Sequence, residues 1–189
     1  MQRPHVLQIQ KTCDQEFIKR VERESGQQVS KCYQCGNCGA SCGYTFDFDF
    51  PVNQIMRLVQ LGQKETVLGS RSIWLCANCQ ACTTRCPCNI EVARVMEALR
   101  IMSVAEGVVS KKNILLFYDE FLELVRRYGR VFETGLVARY NIKALKPFTD
   151  ADLGPQVLMK GKLALKPHKI KGLKAIEEIF KRFESHRGK

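Results

Sequence analysis

Apolar side chains recur along this chain at the spacing of an α-helix rather than the alternation of a β-strand. Two segments show the pattern most clearly: one is entered at Pro51 and ends near Gly62, and the other ends near Gly107. Their apolar faces comprise Val52, Ile55, Met56 and Val59 in the first segment, and Val92, Val95, Met96, Leu99 and Met102 in the second. Since residues three and four apart share one face of a helix, both segments are predicted to be amphipathic helices. No convincing series of strands accompanies them, so the predicted fold class is mainly α.

Three further helices are predicted outside these two segments. Residues 16–23 form a short charged helix, which Gly26 helps to end. A second helix stops at Gly129, and its apolar face comprises Ile114, Tyr118, Phe121, Leu122 and Val125. A third carries an apolar stripe of Leu173, Ile176, Phe180 and Phe183, with Lys171, Lys174, Lys181 and Arg182 on its other faces. Residues 146–171 contain prolines among basic residues and are predicted to form an extended arm.

The cysteines repeat. Eight of the ten lie in two runs of the form Cys-x2-Cys-x2-Cys-x3-Cys. The runs comprise Cys32, Cys35, Cys38 and Cys42, and, at a constant offset of 44 residues, Cys76, Cys79, Cys82 and Cys86. Each run precedes one of the two strongest helical patterns, so the repeated unit is a loop followed by a helix. Two such units are expected to pack about a pseudo-twofold axis.

This cysteine spacing is typical of proteins that bind [4Fe-4S] clusters, because closely spaced thiolates wrap one face of an iron-sulfur cube. In the bacterial ferredoxin run, the fourth cysteine ligates the other cluster. Applied to this chain, that rule predicts two ligand sets: Cys32, Cys35, Cys38 and Cys86 for the first cluster, and Cys76, Cys79, Cys82 and Cys42 for the second. The exchange would join the two halves and hold the clusters within electron-tunnelling distance.

Zinc is the alternative, since Cys-x2-Cys pairs also form structural zinc sites, and a zinc protein would be a structural module, for example for nucleic acid. A tetrahedral zinc site takes two cysteines from each of two separated pairs, which leaves the third and fourth cysteines of each run unexplained. Cys13 and Cys88 lie outside the runs. Both are interpreted as small buried residues, although Cys88 is near enough to Cys86 to be an alternative ligand.

The two copies differ beside the fourth cysteine. Pro87 follows Cys86, whereas Gly43 follows Cys42, so the two clusters are predicted to have different potentials. Charged neighbours and backbone N–H groups are candidates for tuning those potentials, with solvated loop charges as the alternative reading; they are Lys31, Arg85, Gly36, Gly39 and Ala81. Phe46, Phe48 and Phe50 either shield a cluster, meet a partner or pack in the core, and Trp74 is interpreted as lining a cluster or as core packing.

Charge separates the chain into two parts. The formal net charge is +11, and residues 111–189 hold 18 Lys and Arg against 9 acidic residues. We therefore predict a ferredoxin-like α-helical domain with two clusters at 1–110 and a helical, basic extension for partner docking at 111–189. No apolar run approaches the roughly 18 residues of a membrane span, so a cytoplasmic location is expected. For the basic C-terminus, docking to a partner protein is favoured over binding of nucleic acid. Peripheral contact with a membrane remains an alternative.

No catalytic machinery is visible. The three histidines, His5, His168 and His186, have no accompanying acid, and no Gly-x-Gly-x-x-Gly element indicates a dinucleotide. Whether the chain is an enzyme stays open, and a non-catalytic iron-sulfur subunit of an oxidoreductase is favoured. A free ferredoxin-like carrier is the alternative, although a compact carrier has no need of the long basic extension.

These motifs together resemble a known family. The string Cys-Tyr-Gln-Cys-Gly-Asn-Cys from Cys32, the helix entered at Pro51, the Ile-Trp-Leu lead-in to Cys76 and the closing Cys86-Pro87 are similar to the C subunit of heterodisulfide reductase. The resemblance covers residues 30–101. Arg-Tyr-Asn at 139–141 and Lys-Pro-His-Lys at 166–169 resemble the bacterial versions of that protein. The missing proline after Cys42 departs from the family pattern.

The resemblance implies a two-cluster electron-transfer subunit. Its expected partners are a B-type catalytic subunit, where disulfide chemistry occurs, and a flavin-containing A-type subunit. In methanogens the family's substrate is the mixed disulfide of coenzyme M and coenzyme B, and related bacterial complexes act on other sulfur compounds.

Overall fold

The computed structural model describes residues 13–145, 159 and 166–187, and those residues form a mainly helical protein without β-strands. The predicted fold class is therefore confirmed. The chain divides into two compact units, residues 1–111 and 112–189. Within the described part of the chain, every helix is too short or too polar to cross a membrane.

The first unit is built from two long helices, α3 and α7, with shorter helices packed around them. Its helices are α1 (Gln15–Ser25), α2 (Asn37–Ala40), α3 (Val52–Gln60), α4 (Lys64–Leu68), α5 (Ser72–Leu75), α6 (Ala81–Thr84) and α7 (Val92–Ala105). Helix α7 packs against α1, α4, α5 and α6, whereas α3 packs against α1, α2 and α4. Two short 3-10 helices, Val29–Lys31 and Thr45–Asp47, lie in the connections.

The core of this unit consists of the faces that the sequence pattern predicted. Ile55, Met56 and Val59 of α3, and Val95, Met96 and Leu99 of α7, are completely shielded from solvent. Complete burial of large apolar side chains is the main favourable contribution to folding. Both predicted amphipathic helices are thus confirmed.

Glycines end several of the predicted helices. Helix α1 begins at Asp14, whose carboxylate accepts a hydrogen bond from the Phe17 N–H at 2.9 Å, and it ends at Gly26 with a φ of 66°. Gly62 follows α3 with a φ of 62°, and a Cβ there would lie 2.4 Å from the Asp14 nitrogen. A left-handed backbone in such close contact requires glycine.

The second unit contains α8 (Lys112–Tyr128), α9 (Glu133–Lys143) and, as we number it, α10 (Leu173–Arg187). Helix α8 ends at Gly129, as predicted, whereas α9 was not predicted. The carboxylate of Glu120, which is 3% exposed, accepts hydrogen bonds from Arg139 at 2.7 Å and from Lys143. Burial raises the pKa of Glu120, but the hydrogen bonds from Lys143 and Arg139 outweigh burial and hold that pKa below its usual value.

Helix α10 packs on α8, where Glu184 pairs with Arg126 at 2.7 Å and the Arg126 guanidinium lies 5.9 Å from the Phe180 ring centroid. Part of the predicted apolar stripe is therefore half-buried within this unit, while Phe183 is 61% exposed. Most of the predicted extended arm lies outside the described residues.

Candidate metal centre

The cysteine repeat is also a repeat of backbone conformation. A single turn of helix leads into each run, Val29–Lys31 before Cys32 and α5 before Cys76. Beyond those cysteines the backbone turns left-handed at four positions related by the offset of 44: Gln34 and Gly36 with φ of 64° and 85°, and Asn78 and Gln80 with φ of 53° and 65°. Left-handed residues reverse the chain tightly, so both loops curl in the same way.

The third cysteine of each run lies on a short helix. Cys38 on α2 and Cys82 on α6 are each 8% exposed, and these two helices pack against each other. The pKa of the Cys38 thiol is raised to about 11, mainly by burial and in part by the neighbouring Cys32 and Cys82. Cysteine sulfurs gathered out of water in this way become thiolates only with a positively charged group among them.

The first predicted ligand set lines one cavity. Its wall includes Cys32, Cys35 and Cys38 from the first run together with Cys86 from the second. Cys88 lines the same cavity. The structure thus brings the fourth cysteine of the second run to the first three cysteines of the first run.

The members of the second predicted ligand set are neighbours as well. Burial raises the pKa of Cys76, and negative charge on Cys42 and on Cys79 raises it further. The Cys82 pKa is raised by burial and then by Cys76. Cys42 therefore lies within electrostatic range of Cys76, the first cysteine of the other run.

The second cysteine loop lies beside a buried polar group that has no partner among the described residues. In the described ranges, no three His, Cys, Asp or Glu side chains lie close enough together to hold a single metal ion. Trp74, which is 2% exposed, has an indole N–H without an acceptor in the described part of the chain, two residues before Cys76. A sulfur-rich group near that loop would supply an acceptor, so the residues present fit iron-sulfur clusters.

One side chain from each long helix braces the cysteine loop before it. Gln60 of α3 donates its side-chain N–H to the carbonyl oxygens of Val29 at 2.9 Å and Cys32 at 2.8 Å. Arg100 of α7 donates to those of Ile73 at 3.0 Å and Cys76 at 2.6 Å. The carbonyls of Val29 and Cys32 correspond to those of Ile73 and Cys76 at the offset of 44. The two donors occupy equivalent positions in their helices.

Sequence reasoning missed this pair, although a signal existed. The helices that follow the two cysteine runs align at an offset of 40 residues, at which Met56 matches Met96 and Gln60 matches Arg100. Of the charges that sequence reasoning did propose, Lys31 and Arg85 are both exposed. Arg100 is half-buried, and its positive charge favours the thiolate of Cys76.

The predicted backbone donors are found in part. The backbone N–H of Gly39 lowers the pKa of the Cys38 thiol and so opposes the effect of burial. At the equivalent place in the second copy, the side chain and the backbone N–H of Thr83 lower the pKa of the Cys82 thiol. A Cβ at Gly39 would lie 2.5 Å from the Asn53 Oδ1, so a side chain there would displace the end of the Asn53 side chain.

Two expectations about the remaining cysteines are wrong. Cys13 is exposed rather than buried, and its sulfur accepts a hydrogen bond from the Gln15 side chain at 3.3 Å. Cys88 is only half-buried, because it lines the wall of the first cavity. Among the aromatic residues, Phe48 is buried, whereas Phe46 is 80% exposed.

Comparison with known proteins agrees with this geometry. Residues 28–90 match the family described as the 4Fe-4S dicluster domain. The C subunit of the H(2):CoB-CoM heterodisulfide,ferredoxin reductase of Methanothermobacter marburgensis is 28% identical over 97 residues, 51% of this chain and 52% of that protein. The iron-sulfur C subunit of the CoB--CoM heterodisulfide reductase of Methanopyrus kandleri is 33% identical over 99 residues, 52% of each chain. A protein of Archaeoglobus profundus, described as like the C subunit of heterodisulfide reductase, is 27% identical over 159 residues, 82% of this chain and 79% of that protein.

The fold and the paired cysteine loops thus define an iron-sulfur protein of the dicluster class, which holds two [4Fe-4S] clusters. Over about half of its length the chain is similar to heterodisulfide reductase C subunits. It spans about half the length of the curated relatives that it matches first.

Proposed function

We propose that this chain is the electron-relaying subunit of a heterodisulfide reductase-type complex. It would carry electrons through its two clusters to or from a subunit that converts a disulfide or another sulfur compound. One observation carries the proposal: Cys86 of the second run lines one cavity with Cys32, Cys35 and Cys38 of the first. Because each loop would contribute one cysteine to the cluster of the other, the two loops would form one unit with two clusters.

The ligand sets follow from that arrangement. We assign Cys32, Cys35, Cys38 and Cys86 to the first cluster, and Cys76, Cys79, Cys82 and Cys42 to the second. Each cluster supplies one-electron redox chemistry when bound. The chain's own residues position the sulfurs and keep the two sites close together. Helix α2 packs on α6, and Gln60 and Arg100 hydrogen-bond to the backbone of the two cysteine loops.

The partners proposed are a B-type catalytic subunit and a flavin-containing A-type subunit, since the relatives are named as C subunits of heterodisulfide reductases. The chain would be a non-catalytic component of an oxidoreductase, located in the cytoplasm. The basic helix α10 would contact a partner through Phe183, and peripheral contact with a membrane is a further role for the same basic residues. Nucleic acid is not among the proposed partners.

Co-purification from the native host tests this proposal. We expect an affinity-tagged chain, isolated without oxygen, to carry roughly eight iron atoms with equal sulfide and to bring the catalytic and flavin subunits with it. Phe183→Ser should weaken that association and leave the iron content unchanged, whereas Lys181→Ser on another face of α10 serves as the control. A chain that ran alone and reduced unrelated acceptors would contradict the proposal and favour a free carrier.

A further inference from the structure

We propose that Arg100 holds the second [4Fe-4S] cluster at a higher reduction potential than the first, so that an electron within this chain rests preferentially at the second site. This inference rests on the ligand sets of the proposed function and deepens it. A cluster gains negative charge when it is reduced. A fixed positive charge nearby stabilises the reduced form, and the potential rises.

Arg100 is fixed at the place where such a charge acts. Its guanidinium donates to the carbonyl oxygens of Ile73 at 3.0 Å and Cys76 at 2.6 Å, which places it against the backbone of a proposed ligand. The side chain is half-buried. Two directed hydrogen bonds immobilise the charge, and partial burial reduces its screening by water and salt.

The first site has a neutral group in the equivalent place. Gln60 makes the matching contacts with Val29 and Cys32, and Gln34 donates a neutral side-chain N–H to the Cys32 sulfur at 3.4 Å. The cations next to the ligands of the first site, Lys31 and Arg85, are exposed to solvent. On α3, Arg57 is exposed as well and donates to the Gln60 side-chain oxygen at 3.3 Å. Its charge is thus one hydrogen bond further from the cysteine loop than that of Arg100.

Redox titration of the full chain, loaded and handled without oxygen, tests the role of Arg100. Each potential is followed by electron paramagnetic resonance in the wild type and three variants. Arg100→Gln installs the residue of the first copy, Arg100→Lys keeps the charge, and Gln60→Lys adds a charge to the first site. We expect Arg100→Gln to lower the higher of the two cluster potentials. The oxidised-to-reduced equilibrium of that cluster should change by about tenfold, which is about 59 mV for one electron.

The controls separate charge from geometry. Arg100→Lys should leave the higher potential close to its wild-type value. Gln60→Lys should raise the lower potential, so that the difference between the two cluster potentials becomes smaller. Equal shifts in Arg100→Gln and Arg100→Lys, or no shift in either with full iron content, would overturn the inference. Failure of the proposed function would be seen separately, as missing sulfide or missing partner subunits in the wild type.

Discussion

The two copies of the loop-and-helix unit share a shape but differ in their connections and charges. Their cysteines repeat at an offset of 44 residues and their long helices at 40, so the first connection, from Cys42 to α3, is four residues longer. The buried faces of α3 and α7 nevertheless match position by position. The two copies thus share the buried helix faces and the cysteine spacing, and their differences include the length of the connection and one bracing side chain.

The longer first connection contains a residue that hydrogen-bonds to the second copy. Asp49 lies in the longer connection, and its carboxylate accepts hydrogen bonds from the Ser70 hydroxyl at 2.7 Å and from the Arg71 N–H at 2.7 Å. It also accepts from the N–H of Ser72 at 3.0 Å and from the Ser72 hydroxyl at 2.5 Å. Asp49 thus fixes the start of α5, the turn that leads into Cys76. The shorter connection of the second copy leaves no equivalent residue.

The largest effects should come from breaking the exchange of cysteines between the copies. Cys32→Ala combined with Cys86→Ala removes two proposed ligands of one cluster, so we expect about half of the iron to remain. Cys32→Ala combined with Cys42→Ala removes one proposed ligand from each cluster and should abolish nearly all iron. Iron and sulfide analysis of anaerobic material measures both. The opposite ranking would show that each run binds its own cluster.

Substitutions at equivalent core positions of the two copies should destabilise the chain equally. Met56 and Met96 are both completely buried at equivalent places, so Met56→Ala and Met96→Ala should each destabilise the chain by about 2–5 kcal/mol through lost burial and the cavity left behind. The urea concentration at which the clusters are lost should fall by similar amounts in both variants. Gln54→Ala, on the exposed face of α3, is the control and should change little. A cost confined to one copy would contradict the equivalence.

A smaller effect is expected where the copies differ, at Asp49. Asp49→Asn replaces an acceptor oxygen by a donor that faces other donors, and should cost about 1–3 kcal/mol. Thermal loss of the clusters measures this cost, and Asp47→Asn is an exposed neighbouring control that should leave it unchanged.

The same variant should alter the dependence of stability on pH. Burial raises the Asp49 pKa, but hydrogen bonds from Ser72 and Ser70 outweigh burial and hold it below its usual value. A lowered folded-state pKa stabilises the protein above the unfolded value of about 3.9, and the contribution is lost as the pH falls through the folded value. The difference between wild type and Asp49→Asn should therefore stay constant from about pH 6 to 8 and shrink as the pH falls below about 4. A difference that changed within that range would assign the titration to another group.

The sequence predicted the elements whose stability depends on local pattern. Helices α3 and α7 follow from apolar spacing, and Gly62, Gly107 and Gly129 mark helix ends because left-handed termini favour glycine. The clusters follow from cysteine spacing, since a thiolate ligand set is encoded in short runs. These features needed no knowledge of distant contacts.

Features that depend on distant contacts were missed. Helix α9 has one buried apolar residue, Leu136, and is held instead by Arg139 and Lys143 on Glu120 of α8. Arg100 reaches carbonyl oxygens 24 and 27 residues earlier in the chain. Cys13 is exposed although cysteine is usually buried, which shows that residue type alone is a weak guide to burial. For α9 and for Arg100 the partner lies far away in the sequence.

The cavity shared by Cys32 and Cys86 also constrains how the protein is made. During synthesis the first loop leaves the ribosome well before the second, yet its site lacks one wall until Cys86 has emerged and α7 has docked. The first cavity therefore takes its final shape only after both loops have been synthesised and have folded together.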